Sequence, residues 1–76
     1  MQTALHDTLA HIDALPDNAL LTPIEAAAFL RLAAQTLVND RNRRTLGIPF
    51  VRMGRAIRYP KGEVKAWRES RTVRTV

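Results

Sequence analysis

The sequence predicts a mainly α fold completed by a small β-hairpin and preceded by a short amphipathic helix. Three observations carry that expectation. Thr22-Pro23-Ile24-Glu25 reads as a helix start and leads into a run of alanines; a two-faced helical segment follows at 33–43; and the hydrophobic period shortens to alternation over residues 49–59. The 76-residue chain has room for one small domain. A domain of that size buries only about 60% of the surface its unfolded chain exposes. Apolar residues make up 46% of the chain, yet there is only one Trp, one Tyr and two Phe, so the core must be aliphatic.

In chain order, Leu5, Leu9 and Ile12 recur at i, i+4 and i+7 and predict a first short helix that ends before Pro16. Pro16-Asp17-Asn18 reads as a turn, and residues 1–19 form an N-terminal helix with its linker. The domain proper is expected over 20–68. It opens with a capping box, in which the Thr22 hydroxyl accepts from the Glu25 amide and the Glu25 carboxylate reaches back to the Thr22 amide. Pro23 suits the first helical position because its missing N–H would be unpaired there in any case. Ala26-Ala27-Ala28 leaves this helix slim enough for close approach by another. After an interruption at Arg31-Leu32, a second helix is expected from 33 to 43. At 100° per residue, Ala34, Leu37 and Val38 point one way and Gln35, Asn39 and Asn42 the other, with Arg43 at their edge. Arg41 falls in the apolar arc. Either its stem packs and its head reaches solvent, or the helix frays there.

Residues 50–59 predict the hairpin, turning at Gly54-Arg55. If the register permits, Val51, Met53, Ile57 and Tyr59 share one face and Arg52 and Arg58 the other. Pro60-Lys61-Gly62 should end the second strand, and a short helix should run from Glu63 to about Arg68, with Val64 and Trp67 packed on the hairpin. Residues 69–76 have no core pattern and are expected to form a mobile basic tail.

The charge is divided between the two halves. Residues 1–30 carry Asp7, Asp13, Asp17 and Glu25 and no base, a net of −4. Residues 31–76 carry all twelve bases against Asp40, Glu63 and Glu69, a net of +9. Ten of the twelve are Arg, whose planar fork suits phosphates and base edges. A polyanionic partner for the second half is the first functional inference. Other classes lose ground. Cysteine is absent, which removes thiol catalysis and thiolate metal sites and fits a reducing compartment. The three glycines are scattered, so there is no phosphate-cradling loop. His6 and His11 lie five apart, a poor spacing for shared metal ligation, and read as surface histidines. Neither an enzyme nor a cofactor or metal site is expected. No apolar run approaches the roughly 20 residues of a membrane span, and the start lacks the basic residues of a signal peptide.

Two helices joined by a tight turn, then a basic hairpin and a closing helix, is the layout of a winged helix-turn-helix. Its physics fits double-stranded DNA. The major groove is about 12 Å wide and accepts one helix, and a Gln or Asn amide can pair bidentately with adenine. Hairpin arginines would neutralise phosphates or enter the minor groove. The residues expected on DNA are Gln35, Thr36, Asn39, Asn42, Arg43 and Arg44 from the helix and its end, and Arg52, Arg55 and Arg58 from the hairpin.

Leu20 to Leu30, Gln35-Thr36-Leu37, Ile48 to Tyr59 and Glu63 to Trp67 together resemble the AlpA/excisionase type of MerR-like winged helix, over about residues 20–68. The resemblance implies that 33–43 is the recognition helix and 50–59 the wing. It also implies a small transcriptional regulator, or an excisionase that bends DNA and directs an integrase, from a prophage or mobile element. Such a protein would be bacterial, cytoplasmic and nucleoid-associated, with an integrase or RNA polymerase as a further partner. Three positions depart from the family pattern. Arg31-Leu32 replaces a common Gly-Val, Ala33 replaces a capping Ser, and Asp40 stands where many members carry an aromatic that supports the helix from below.

Because one module contacts few base pairs, several copies are expected to bind together. The Leu5/Leu9/Ile12 stripe could form a symmetric dimer on inverted half-sites or pack on its own core. Alternatively, the acidic first half of one copy could meet the basic second half of the next in a head-to-tail array. The rival reading is a protein-interaction or phage assembly module with the same fold, favoured by the acidic first helix. A single-strand RNA reader would expose stacking aromatics, and the few here hold core positions.

Overall fold

A computed structural model describes residues 4–71, with side chains from Leu9 onward. The elements run α1 (Ala4–Ala14), β1 (Leu20–Leu21), α2 (Pro23–Leu30), α3 (Ala34–Arg43), β2 (Val51–Met53), β3 (Ala56–Pro60) and α4 (Lys61–Ser70). The strands form one antiparallel sheet in the order β1-β3-β2. The core is Ile12, Leu21, Ala26, Ala27, Phe29, Leu37, Ile48, Tyr59 and Val64, so every helix and two of the strands contribute to it. Each of the larger side chains there contributes about 1.5–3 kcal/mol by leaving water.

α2 starts as its sequence dictates. Thr22 Oγ1 accepts from the Glu25 amide at 3.1 Å and Glu25 Oε1 accepts from the Thr22 amide at 2.9 Å, with Pro23 first in the helix. It ends in a Schellman turn, with the Leu32 amide donating to the Ala27 carbonyl and the Arg31 amide to that of Ala28. Arg31 takes the left-handed conformation there (φ 58°), where glycine would be unstrained. α3 then begins at Ala34 without a side-chain cap, because Ala33 has no hydroxyl to offer.

Several expectations need correction. The hairpin has a two-residue loop, and its register pairs Val51 with Arg58, Arg52 with Ile57 and Met53 with Ala56. Opposed residues share a face, so Arg52 lies with Ile57 and Tyr59, and Val51 and Met53 with Arg58. The expected separation of apolar and arginine faces is therefore wrong. Gly54 holds the first loop position at φ 62°, as the type II′ turn requires. A third strand, β1, was not foreseen; Leu21 pairs with Tyr59 and Leu20 with Pro60. No turn separates the hairpin from the last helix. Pro60 ends β3 and caps α4, which starts at Lys61 and continues past Arg68 to Ser70, so Glu69 and Ser70 are helical. Residues 72–76 of the expected tail lie outside the described residues. Ala34, expected on the apolar side of α3, is exposed in the first turn.

The N-terminal segment is docked on the domain. Ile12 is fully buried. Lys61, itself 6% exposed, sends its ammonium to the end of α1, donating to the carbonyls of Ile12 (2.8 Å) and Leu15 (2.6 Å). A cation there also complements the negative end of the helix dipole. Next to it, the Gly62 amide donates to the Asp17 carbonyl at 2.7 Å, and a Cβ on Gly62 would stand 3.0 Å from that oxygen. Only glycine fits this approach without displacement.

Candidate nucleic-acid interface

α3 rests on the core through Leu37, which is fully buried, and Val38, which is half-buried. The opposite arc, about 100° wide at helical spacing, holds Asn42, Gln35, Asn39 and Arg43, all exposed. Within it, Gln35 Nε2 donates to Asn39 Oδ1 at 3.1 Å, which pre-arranges the two amides one turn apart. Thr36, Asn39 and Arg43 line one shallow depression together with Asp40, Thr45 and Leu46. The structure thus gathers Gln35, Thr36, Asn39, Asn42 and Arg43 on one surface. Arg44 is directed elsewhere. In the left-handed conformation (φ 55°) at the end of α3, it donates to the Ile48 carbonyl at 3.3 Å and lies over the Phe50 ring at 5.2 Å.

The end of α3 is tied to the hairpin by residues the sequence left open. Arg41 is half-buried and donates to the Tyr59 hydroxyl at 2.8 Å, so the helix does not fray there, and the head is held by a core tyrosine where the alternative reading had it in solvent. Asp40, 3% exposed, is the larger surprise. Its Oδ1 accepts from the amides of Leu46 and Gly47 (2.9 Å), and its Oδ2 accepts from that of Ile48 (2.9 Å). Burial alone would raise its pKa. The three N–H donors, with the Arg44 guanidinium 3.9 Å away, outweigh burial and hold the carboxyl below its ordinary range. At this position the chain has a buried carboxylate that folds the 44–50 loop around itself. From the other side, Trp67 Nε1 and Arg71 both donate to the Leu46 carbonyl, at 3.0 and 2.8 Å. The signal that could have revealed Asp40 was its i+3 spacing from the buried Leu37, seven residues before Gly47.

In the hairpin, Arg52 and Arg55 are exposed and Arg58 is half-buried, donating to its neighbour's carbonyl at 2.8 Å. From residue 41 to residue 62 the chain carries seven bases and no acid. Of these, the side chains of Arg41, Arg44 and Lys61 are engaged in the fold, whereas those of Arg43, Arg52 and Arg55 make no hydrogen bond or ion pair among the described residues. His11 is exposed with Nε2 3.7 Å from Glu25 Oε2. Among the described residues no cluster of His, Asp and Glu is placed to hold a metal ion, and no helix is long and apolar enough to cross a membrane.

α2, its tight turn, α3 and the hairpin define a winged helix-turn-helix domain, a class in which the second helix enters the major groove of DNA. A family model described as a helix-turn-helix domain matches residues 20–72, and the chain belongs to that family, of the AlpA/excisionase-like kind. No curated protein and no solved structure matches the chain significantly.

Proposed function

We propose that the chain binds double-stranded DNA sequence-specifically, as a small transcriptional regulator or an excisionase-like recombination accessory factor of a prophage or mobile element. α3 lies in the major groove, where Gln35 and Asn39 read base edges, adenine above all, and Asn42 and Arg43 flank them. Arg52, Arg55 and Arg58 of the hairpin contact phosphates or the minor groove. The observation that carries the reading is the exposed amide arc of α3 (Gln35, Asn39, Asn42) beside the stretch from residue 41 to residue 62, which carries seven bases and no acid. The acidic first helix, which favoured an assembly module, has Ile12 committed to its own core. That also weakens a symmetric dimer through the Leu5/Leu9/Ile12 stripe and favours head-to-tail assembly on direct repeats. An integrase or RNA polymerase would then be recruited by the DNA-bound array.

Fluorescence anisotropy on random duplex across a salt series tests the electrostatic part. With roughly five phosphates neutralised, log affinity should fall against log salt with a slope near −4.5. A slope near zero, or no binding at low salt, removes the reading. On a duplex selected from a random pool, Gln35→Ala or Asn39→Ala should cost about 1–3 kcal/mol, with almost no effect on random DNA. Equal losses on both would reassign α3.

A further inference from the structure

The hairpin tip carries a side chain that phosphate neutralisation does not explain. Met53 is 49% exposed and is the last residue of β2, directly before the Gly54-Arg55 loop. The register puts it on the outward face of the hairpin with Val51, Ala56 and Arg58, away from Tyr59 and the core. Arg52 precedes it in the strand and Arg55 follows in the loop, both exposed and uncommitted among the described residues. An ion-pairing wing would gain from a cation at this position, yet the chain places an apolar side chain there, on the face it shares with Arg58 and next to the loop residue Arg55.

We infer that Met53 is a minor-groove wedge: as α3 occupies the major groove, the hairpin tip enters the adjacent minor groove and the thioether side chain inserts at one base step, partly unstacking it and bending the duplex. This rests on the DNA-binding reading and goes beyond it. The shape suits the task. The minor groove is about 6 Å wide, and paired strands lie about 4.8 Å apart, so only a narrow tip can enter. The tip is a two-residue loop, and apart from the adjoining residues no protein atom lies within 4 Å of where a Cβ on Gly54 would stand. Apolar wedges that act between base steps are drawn from Phe, Leu, Ile, Met and Pro. Methionine is unbranched and polarisable, and adapts its shape to an opening step. Arg52, Arg55 and Arg58 supply the attraction to the phosphates lining the groove that offsets the unstacking. The preferred step should be pyrimidine–purine, the most readily unstacked.

The test uses the full chain and a duplex that the wild type selects from a random pool, labelled at both ends for energy transfer and carrying 2-aminopurine at successive steps. The wild type should bring the ends together by a kink of about 20–90° and raise 2-aminopurine emission at one step. Met53→Leu should retain both signals. Met53→Ala and Met53→Lys should lose both and bind the selected duplex about tenfold more weakly. On random duplex at low salt, Met53→Ala should stay within about twofold of wild type, since it changes only an exposed side chain, and Met53→Lys should bind at least as tightly. Thermal melts equal to wild type show that the variants fold. The wedge is overturned if either variant bends and unstacks the duplex as the wild type does, or if the wild type leaves its selected duplex straight. Failure of the wild type to bind any duplex at low salt instead overturns the DNA-binding reading beneath it.

Discussion

Removing the Asp40 carboxylate should unfold the domain more readily than any surface change, and the structure sets the size of the loss. Asp40 is 3% exposed and accepts three backbone N–H groups from Leu46, Gly47 and Ile48. Hydrogen bonds to a charged group contribute about 1.5–3 kcal/mol each when taken singly, but three on one carboxylate do not add. Breaking a buried charged set typically costs about 3–5 kcal/mol. Leu46 and Gly47 are only half-buried, so their amides regain water; Ile48, 1% exposed, cannot. Asp40→Ala is therefore expected to cost about 3 kcal/mol, and Asp40→Asn, which keeps one acceptor oxygen, about 2 kcal/mol. A chain of 76 residues has a total stability of roughly 4–11 kcal/mol, so either loss is a large share. Urea unfolding should show a lower midpoint at unchanged slope. The effect must also depend on pH with a definite sign. Because the folded carboxyl titrates below the unfolded value of about 3.9, its contribution is complete above that pH and disappears as pH falls through the folded pKa. Wild type and Asp40→Asn should thus differ by a constant amount from pH 7 to about 5 and converge in acid. A loss under about 1 kcal/mol for Asp40→Ala, or a wild-type advantage that persists undiminished at the lowest pH, refutes the assigned role.

Further expectations concern the helix ends and the N-terminal clamp. Ala33→Ser supplies the missing cap of α3 and should raise stability by about 1 kcal/mol in thermal or urea melts. Arg31→Gly relieves the left-handed residue at the end of α2 and should add about 0.5–1 kcal/mol; a net loss would mean that the arginine side chain contributes more than its backbone strain costs. Lys61→Met removes the ammonium from the carbonyls of Ile12 and Leu15 and should cost about 2 kcal/mol. Amide exchange should then accelerate in α1 before it does in α2, and equal acceleration in both would show that the clamp does not act locally.

Local chemistry was legible in the sequence, and pairings at a distance were not. The capping box of α2 and the exposed arc of α3 follow from residues three to seven positions apart, and the structure bears out both. The hairpin's existence was legible too, but its faces were not. Val51, Met53, Ile57 and Tyr59 are all odd-numbered, and a set of one parity can share a face only around a loop of odd length. With two loop residues, odd pairs with even, and every side chain on one strand moves to the other face. Arg41 could not be placed because its partner, Tyr59, lies 18 residues further on. Asp40 stood out only as a departure from a family pattern, since its role depends on amides six to eight residues away. Lys61 read as part of a turn because nothing near it in sequence calls for a buried cation. β1 is two residues long, too short to show alternation.

The clamp between Lys61 and the end of α1 also bears on the order in which the chain assembles. α2, its turn and α3 are built from neighbours, and the hairpin closes over two loop residues. The bonds from Lys61 to Ile12 and Leu15 span 49 and 46 residues. Loop-closure entropy rises only slowly with length, about 0.6 kcal/mol per doubling, so such a span is tolerable once its ends are rigid. Before that, α1 is a single amphipathic helix of 11 residues, too short to persist alone in water. Its anchor arrives with the β3–α4 junction, after α3 and the hairpin have been synthesised. α1 is in this way synthesised before the helix-turn-helix and takes its place after it.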